Sequence, residues 1–495
     1  MGVNLRSLLP WQNRNKVKKE YKMALDMVEP GDEINDYGSD EKASKAVPDG
    51  VSEKMLYRDV VKIAWPSFVE LTLTQLTSMV DMMMVGGLGS WAITSVGLTT
   101  QPKFLLMIMF MAMNVGATAL VARYKGEGSP QKANMVLRQA LLITFILSVI
   151  GSIVGYIASE PMIRFMGAAE AITLEQGTIY LKIQMLGFVF LALTSTMTAT
   201  LRGVGSSRVT MMYNLASNVV NVIFNYLLIH GHFGFPKMGV IGASLATIIG
   251  QFVAFLLALG AILRGRHYLS LRFKEGFKPN LRVIKSIFKI GIPALVEQVF
   301  MRAGMILYVK TVASLGTVAY ATHQIAMNIQ AMSFMNGQAF SVSGTSLVGQ
   351  SLGKRRPDMA QAYASRTRRL GMSFSILLGL TFFFLGRPIV GLYTNEADVI
   401  VQGTRILKYV ALVQPLQSSQ FILAGALRGA GDTRATAVIS FITVLIIRPG
   451  LAFMLINFFS LGLDGAWFAL IADQALRSLL VLLRYNTGKW KSIRI

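Results

Sequence analysis

The chain contains no cysteine, which excludes disulfides, thiolate metal centres and cysteine nucleophiles. It has four histidines and no HExxH, leaving little from which to build a zinc enzyme. Charge is scarce as well. Only 15% of the 495 residues are charged, against 53% hydrophobic, too few to cover the surface of a water-soluble protein of this length. Acidic residues are the scarcer sign, 25 against 48 Lys and Arg, for a net charge of +23. That excess does not point to nucleic acid, because the basic residues fall in alternate short loops and not along one continuous face. No Ser-Lys pair, paired aspartates or HExxH stands where an intramembrane enzyme would need it, so no catalytic activity is expected.

What the chain does have is apolar runs of roughly 20 residues or more, the length that crosses the hydrocarbon of a bilayer. With no water there to satisfy backbone groups, such runs must be helical. Residues 1–55 differ, with a basic stretch (Arg14, Lys16, Lys18, Lys19, Lys22) followed by an acidic one (Glu29, Asp32, Glu33, Asp36). No apolar run precedes Val60, so no cleavable signal peptide is expected and this segment reads as a flexible cytoplasmic tail.

Self-comparison reveals a duplication. Pro66-Ser-Phe-Val-Glu70 recurs as Pro293-Ala-Leu-Val-Glu297; Leu88-Gly89 recurs as Leu315-Gly316, and Gly126 and Pro130 as Gly353 and Pro357. Leu201-Arg-Gly-Val-Gly205 returns as Leu427-Arg-Gly-Ala-Gly431, with Arg208 matched by Arg434. Matches in order at a nearly constant shift mean two copies of one unit. The fold expected is an all-α polytopic membrane protein, twelve transmembrane helices in two pseudo-symmetric six-helix bundles. The first copy reads as spans at about 58–86, 93–122, 134–157, 177–200, 209–231 and 238–263. The second reads as about 287–313, 318–348, 361–385, 404–426, 434–457 and 463–484. The lobes are 56–264 and 287–486, joined by a basic linker, 265–286, with a short C-terminus, 487–495.

The loop between the copies carries Arg264, Arg266, Arg272, Lys274 and Lys278, and the loop after span 8 carries Lys354, Arg355 and Arg356, whereas the alternate loops are neutral or acidic. Positive loops face the cytoplasm, which puts both termini there. An even number of spans per copy makes the repeats parallel, related by an axis along the membrane normal with a cleft between them. Such a cleft suits a single chain working as a monomer in the cell membrane.

An ionisable group inside a span costs roughly 2.5–3.5 kcal/mol on insertion scales, so each one asks for a reason. Span 1 places Glu70, Thr74, Thr77, Ser78 and Asp81 on one helical stripe, with Pro66 a turn before Glu70 as a candidate hinge. Span 5 supplies Asn218, Asn221 and Asn225, and span 6 Thr247 and Gln251. One carboxylate with amide and hydroxyl oxygens is a hard-oxygen set that suits Na⁺, held at Asp81, Asn221 and Asn225; the same carboxylate could instead carry a proton. The second copy offers a different set: Glu297, Arg302, His323, Arg448 and Asp473, with Arg477 one turn beyond, read as a buried network that fixes helix packing. The Arg-Gly-x-Gly loops lack a Walker lysine and follow no strand, so their glycines are expected to form tight turns and Arg202 and Arg428 to sit at the lipid headgroups.

The duplicated Pro-x-x-x-Glu helix, Asp81 followed by Val85-Gly86-Gly87-Leu88-Gly89, and the Leu-Arg-Gly-x-Gly-x-x-Arg loops together resemble the multidrug and toxic compound extrusion (MATE) family, over residues 57–487. The resemblance implies a twelve-span antiporter with no cofactor beyond its coupling ion, expelling cationic or amphipathic small molecules in exchange for Na⁺ or H⁺. It implies that Asp81 is the cation-binding aspartate, with Asn221, Asn225 and Thr247 beside it. In some branches an aspartate stands where this chain has Asn225. Branches with an essential second-lobe glutamate carry it where this chain has Met301 and Arg302, so that role does not pass to Glu297. The rival reading is a flippase of lipid-linked oligosaccharides or polysaccharides, which would need Arg302, Arg448 and Arg477 to line the cleft without carboxylate partners.

Overall fold

The computed structural model describes residues 48–495 apart from 49, 169, 266, 273–275 and 494. The expected tail therefore lies outside the described residues up to residue 47. Among the described residues there are twelve helices of 24 residues or more. In the first copy they are α1 (Glu53–Gly86), α2 (Ser90–Gly126), α3 (Pro130–Ile157), α4 (Ala171–Gly203), α5 (Ser207–His230) and α6 (Gly239–Leu263), with a short helix, Ser159–Phe165, between α3 and α4. In the second they are α7 (Leu281–Ala313), α8 (Thr317–Gly353), α9 (Pro357–Gly391), α10 (Ala397–Ala430), α11 (Thr433–Asn457) and α12 (Gly462–Asn486). Ten of the twelve are apolar enough to cross a membrane on composition alone; the other two, α1 and α8, carry Glu70 and Asp81 in one and His323, Gln330 and Asn336 in the other. Those two polar helices also meet each other at the seam between the lobes.

The two copies pack alike. Within the first lobe α2 and α3 pack on α4, α5 on α6, and α1 on α5; within the second α8 and α9 pack on α10, α11 on α12, and α7 on α11. The lobes meet through α2 with α7, α1 with α8 and α2 with α8, a set that maps onto itself when the copies are exchanged. This is the parallel-repeat arrangement about a pseudo-two-fold axis. At the axis, Gly126 and Gly353 lie face to face. A methyl group on Gly126 would stand 2.0 Å from the Gln350 carbonyl oxygen, and one on Gly353 would stand 2.0 Å from that of Arg123. Only glycine permits so close a backbone approach.

The contacts that join the lobes gather toward the basic loops. Ser343 donates to the Val60 carbonyl (3.1 Å), Ser346 to that of Gly203 (2.9 Å), and the Tyr363 hydroxyl to Asp59 (2.9 Å). Leu56, Val60 and Ile63 of α1 share an apolar cluster with Leu347 and Tyr363. Nearer the middle of the helices, Phe68 meets Phe374 edge-on and the Arg302 guanidinium lies 3.6 Å from the centre of the Phe104 ring. The seam is therefore sealed from the basic-loop end to about the midplane.

One element breaks the symmetry. Residues Phe441–Ile447 of α11 are π-helical, whereas α5 is α-helical throughout. Pro449 explains the difference, since it cannot donate to the carbonyl four residues back and its ring crowds that group. The first copy has Ile223 at that place.

Candidate functional site

Spans 1 and 5 begin on the same side, so α1 and α5 run parallel and can pair at a constant offset. They do so three times. Asn214 donates to Glu70, Asn218 to the Thr74 hydroxyl (3.2 Å) and Asn225 to Asp81 (2.6 Å), each pair 144 residues apart. The result is a polar seam of four asparagines on α5 facing the predicted stripe of α1. At its far end Asn221, with its amide nitrogen turned toward Asp81, donates to both carboxylate oxygens at 2.9 and 3.1 Å. Asn221 and Asn225 are buried, and the Asn225 Oδ1 has no hydrogen-bond partner among the described residues. A buried acceptor without a donor is destabilising unless something else meets it.

The predicted set comes together only in part. Asp81, Asn221 and Asn225 form one cluster. Thr247 bonds back to the Ala243 carbonyl and to the Tyr180 hydroxyl of α4, and Tyr180 lies within electrostatic reach of Asp81. Tyr180 and Asn214 were not anticipated. Asn214 stands four residues before Asn218, on the same face, and could have been found by extending the asparagine spacing backward. Lys103 in α2 was missed as well; it donates to Gln184 of α4 (2.8 Å), and Gln184 donates on to Ser244 of α6 (3.2 Å).

The duplicated motifs turn out to be two halves of one device. The Glu70 carboxylate takes the Arg202 guanidinium at 2.7 Å, the Thr210 hydroxyl at 3.1 Å, and Asn214. In the second lobe Glu297 takes Arg428 at 2.7 Å, Thr436 at 3.0 Å and Ser440 at 3.2 Å. These residues correspond one to one under the repeat shift. The arginines expected at the headgroups are instead paired with carboxylates inside each lobe, because a buried Glu needs a counter-charge that the intervening apolar helices cannot supply. The glycines behave as expected. Gly205 (φ 74°) and Gly431 (φ 90°) close the helix ends in the left-handed region.

The second-lobe residues fall into separate hydrogen-bonded groups, with Glu297 still within electrostatic reach of Arg477. Glu297 belongs to the motif pair, not to Arg302. Asp473, fully buried, is shared by Arg448 (Nε at 3.0 Å) and Arg477 (2.9 Å). His323 is packed between Tyr308 and Trp467, ring centres 5.6 and 5.5 Å away, and touches none of the charged groups by hydrogen bond among the described residues. Arg302 stacks on Phe104 and joins no ion pair among the described residues. The polar seam does not continue here: the residue corresponding to Asp81 is Tyr308, which donates to the Ala466 carbonyl, and Asn221 and Asn225 correspond to Ile447 and Leu451.

Comparison with known proteins matches the duplicated twelve-helix fold that carries this carboxylate and amide cluster. The family model described as MatE matches residues 66–227 and again 293–454, once in each lobe. The chain belongs to the MATE family. A probable multidrug resistance protein NorM from Thermotoga maritima is 29% identical over 434 residues, covering 88% of this chain and 93% of that one. The multidrug resistance protein MdtK of Yersinia pestis is 24% identical, covering 86% and 94%. Among solved structures, a MOP superfamily transporter from Pyrococcus furiosus superposes with a TM-score of 0.81 at 20% identity, covering 88% and 97%. An outward-facing multidrug resistance MATE transporter gives the same score at 19% identity, covering 88% and 96%. This MATE protein thus shares its fold with transporters over nearly their whole length.

Proposed function

We infer that this MATE protein is a secondary antiporter that exports cationic or amphipathic small molecules, with Asp81 as the group that takes Na⁺ or H⁺ in exchange. One observation carries the reading. Of the four carboxylates deep in the spans, Glu70, Glu297 and Asp473 each have an arginine partner, while Asp81 has only amide donors and no cation among the described residues. A carboxylate held inside a membrane protein by neutral groups is set up to bind a mobile cation, because the arriving charge removes the cost of its own burial. The names of the NorM and MdtK relatives support drug export as the direction of use.

The seam sealed toward the basic loops supports an arrangement with those loops, and both termini, on the cytoplasmic side of the cell membrane and the cleft opening outward. In that state Asp81 takes its ion, the segment of α1 beyond Pro66 shifts, and the substrate leaves; the lobes, 56–264 and 287–486, then exchange which end is sealed about the linker 265–286. Coupling requires that ion and substrate favour different states. The cleft lies within one chain, so a monomer suffices. Against the flippase reading, Arg448 and Arg477 are both held on the Asp473 carboxylate, which leaves Arg302 as the one of its three arginines without a carboxylate partner among the described residues. The test is reconstitution in liposomes with dyes of several chemical types. Uphill dye movement driven by an imposed Na⁺ or H⁺ gradient is expected, and the driving gradient names the ion. No movement under either gradient would sink the proposal.

A further inference from the structure

We propose that a recess on the lobe seam, at the basic-loop end, binds a phosphate-bearing anion, either a lipid headgroup or free phosphate, and that its occupant holds this end closed. The recess has a volume of about 1280 Å³ and includes the touching glycines, Gly126 and Gly353. The first lobe contributes Arg123 and Lys132, and the second Lys354, Arg355 and Lys491. Glu127, 3.3 Å from Lys132, opposes them, which leaves the recess positive. A smaller recess of about 210 Å³ adjoins it through Lys354 and adds Lys62 and Lys125, opposed by the single carboxylate of Asp59, which accepts from Tyr363. Lys125 is close enough to feel the charge of both Lys62 and Lys354.

Closing the seam therefore presses like charges from two lobes together, and that costs free energy unless an anion lies between them. An anion that binds only when both lobes supply cations binds the closed state better, and so stabilises it. Phosphate suits the set, since guanidinium and ammonium groups both donate to its oxygens.

A second feature points the same way. Gly126-Glu127-Gly128 of the first copy is Gly353-Lys354-Arg355 in the second. Gly128 sits at φ 69°, and Arg355 takes the same left-handed turn at φ 57°. Glycine adopts that conformation freely and arginine does not, so the second copy carries strain where the first has none. The helix-ending turn requires this backbone in both copies, and the second places a cation at it. The change adds a cation to the seam at the same step that turns an acid into a lysine.

The absence of cysteine makes the test direct. Spin labels on cysteines introduced at Ile172 and Val401, exposed at the opposite ends of α4 and α10, report how far the lobes part there. The protein is placed in phosphatidylcholine vesicles, in the same vesicles with added phosphatidylglycerol, and in plain vesicles with inorganic phosphate against chloride at equal ionic strength. Anion binding should lengthen the distance. A response to phosphatidylglycerol alone assigns the site to a headgroup, and one to phosphate as well assigns it to the free anion too. The Lys354→Gln/Arg355→Gln protein should need about 30-fold more anion for the same response, while Lys354→Arg/Arg355→Lys keeps it. No response to either anion in the wild type would overturn the proposal, as would an equal response from the charge-neutral variant or one that chloride reproduces.

Discussion

Glu297→Gln tests the duplicated ion pair with a magnitude that can be worked out beforehand. The Glu297 side chain is 3% exposed and Arg428 21%, so removing the carboxylate charge strands a mostly buried guanidinium. Breaking one partner of such a pair costs about 3–5 kcal/mol. Glutamine retains a carbonyl that can still accept one bond from Arg428, which returns about 1.5 kcal/mol. The expected loss is about 2–3 kcal/mol in reversible unfolding of the purified protein in detergent. Adding Arg428→Gln removes the stranded charge, so the double variant should be less destabilised than the sum of the single ones, by about 1–2 kcal/mol. The same cycle on Glu70 and Arg202 should give a similar coupling, since the geometry repeats. A loss of under about 0.5 kcal/mol for Glu297→Gln, the size of an ordinary surface change, would refute the pairing. It would return Arg428 to the headgroups.

Gly353→Ala places a methyl 2.0 Å from the Arg123 carbonyl oxygen. It should disfavour the state sealed at that end by about 1–3 kcal/mol, seen as a longer distance between spin labels at Gln131 and Lys489. His323→Phe should change stability by less than about 1.5 kcal/mol and leave the pH profile of transport unmoved, because the ring already packs among aromatics; a shifted profile would mean that His323 carries a proton. Asp473→Asn leaves Arg448 and Arg477 without their shared carboxylate, and should destabilise the protein by about 3–5 kcal/mol in the same unfolding assay.

Much of this architecture is legible in the residues. Apolar length and the repeat of Pro-x-x-x-Glu and Leu-Arg-Gly-x-Gly lead to two six-helix lobes, because a bilayer leaves helices as the only option for such runs. Helical spacing likewise brings out the stripe of α1 and the asparagines of α5. What periodicity cannot say is which stripe faces which. Arg202 lies 132 residues beyond Glu70, too far along the chain for helical spacing to pair them, although both are duplicated at nearly the same shift. That shared duplication was the available signal: a charge that is copied together with an opposite charge calls for a pairing. The second-lobe set comes together only in part, for a related reason. Residues that look alike in composition were grouped, yet the π-helical turn before Pro449 directs Arg448 toward Asp473, and Glu297 is held by its own motif partner. Lys103 gives no periodic signal in its apolar run; only the approach of α4 shows its amide partner.

The central claim is that Asp81, which among the described residues is the one deep carboxylate without an arginine, carries the coupling ion. Dye efflux from liposomes under the gradient that drives the wild type, compared with Asp81→Asn, tests it most directly. The substituted protein should keep its fold and its dye binding but lose gradient-driven efflux, since an amide neither titrates nor supplies the charge that holds a cation. Efflux by Asp81→Asn at the wild-type rate and with the same gradient dependence would contradict the claim and move coupling to another group.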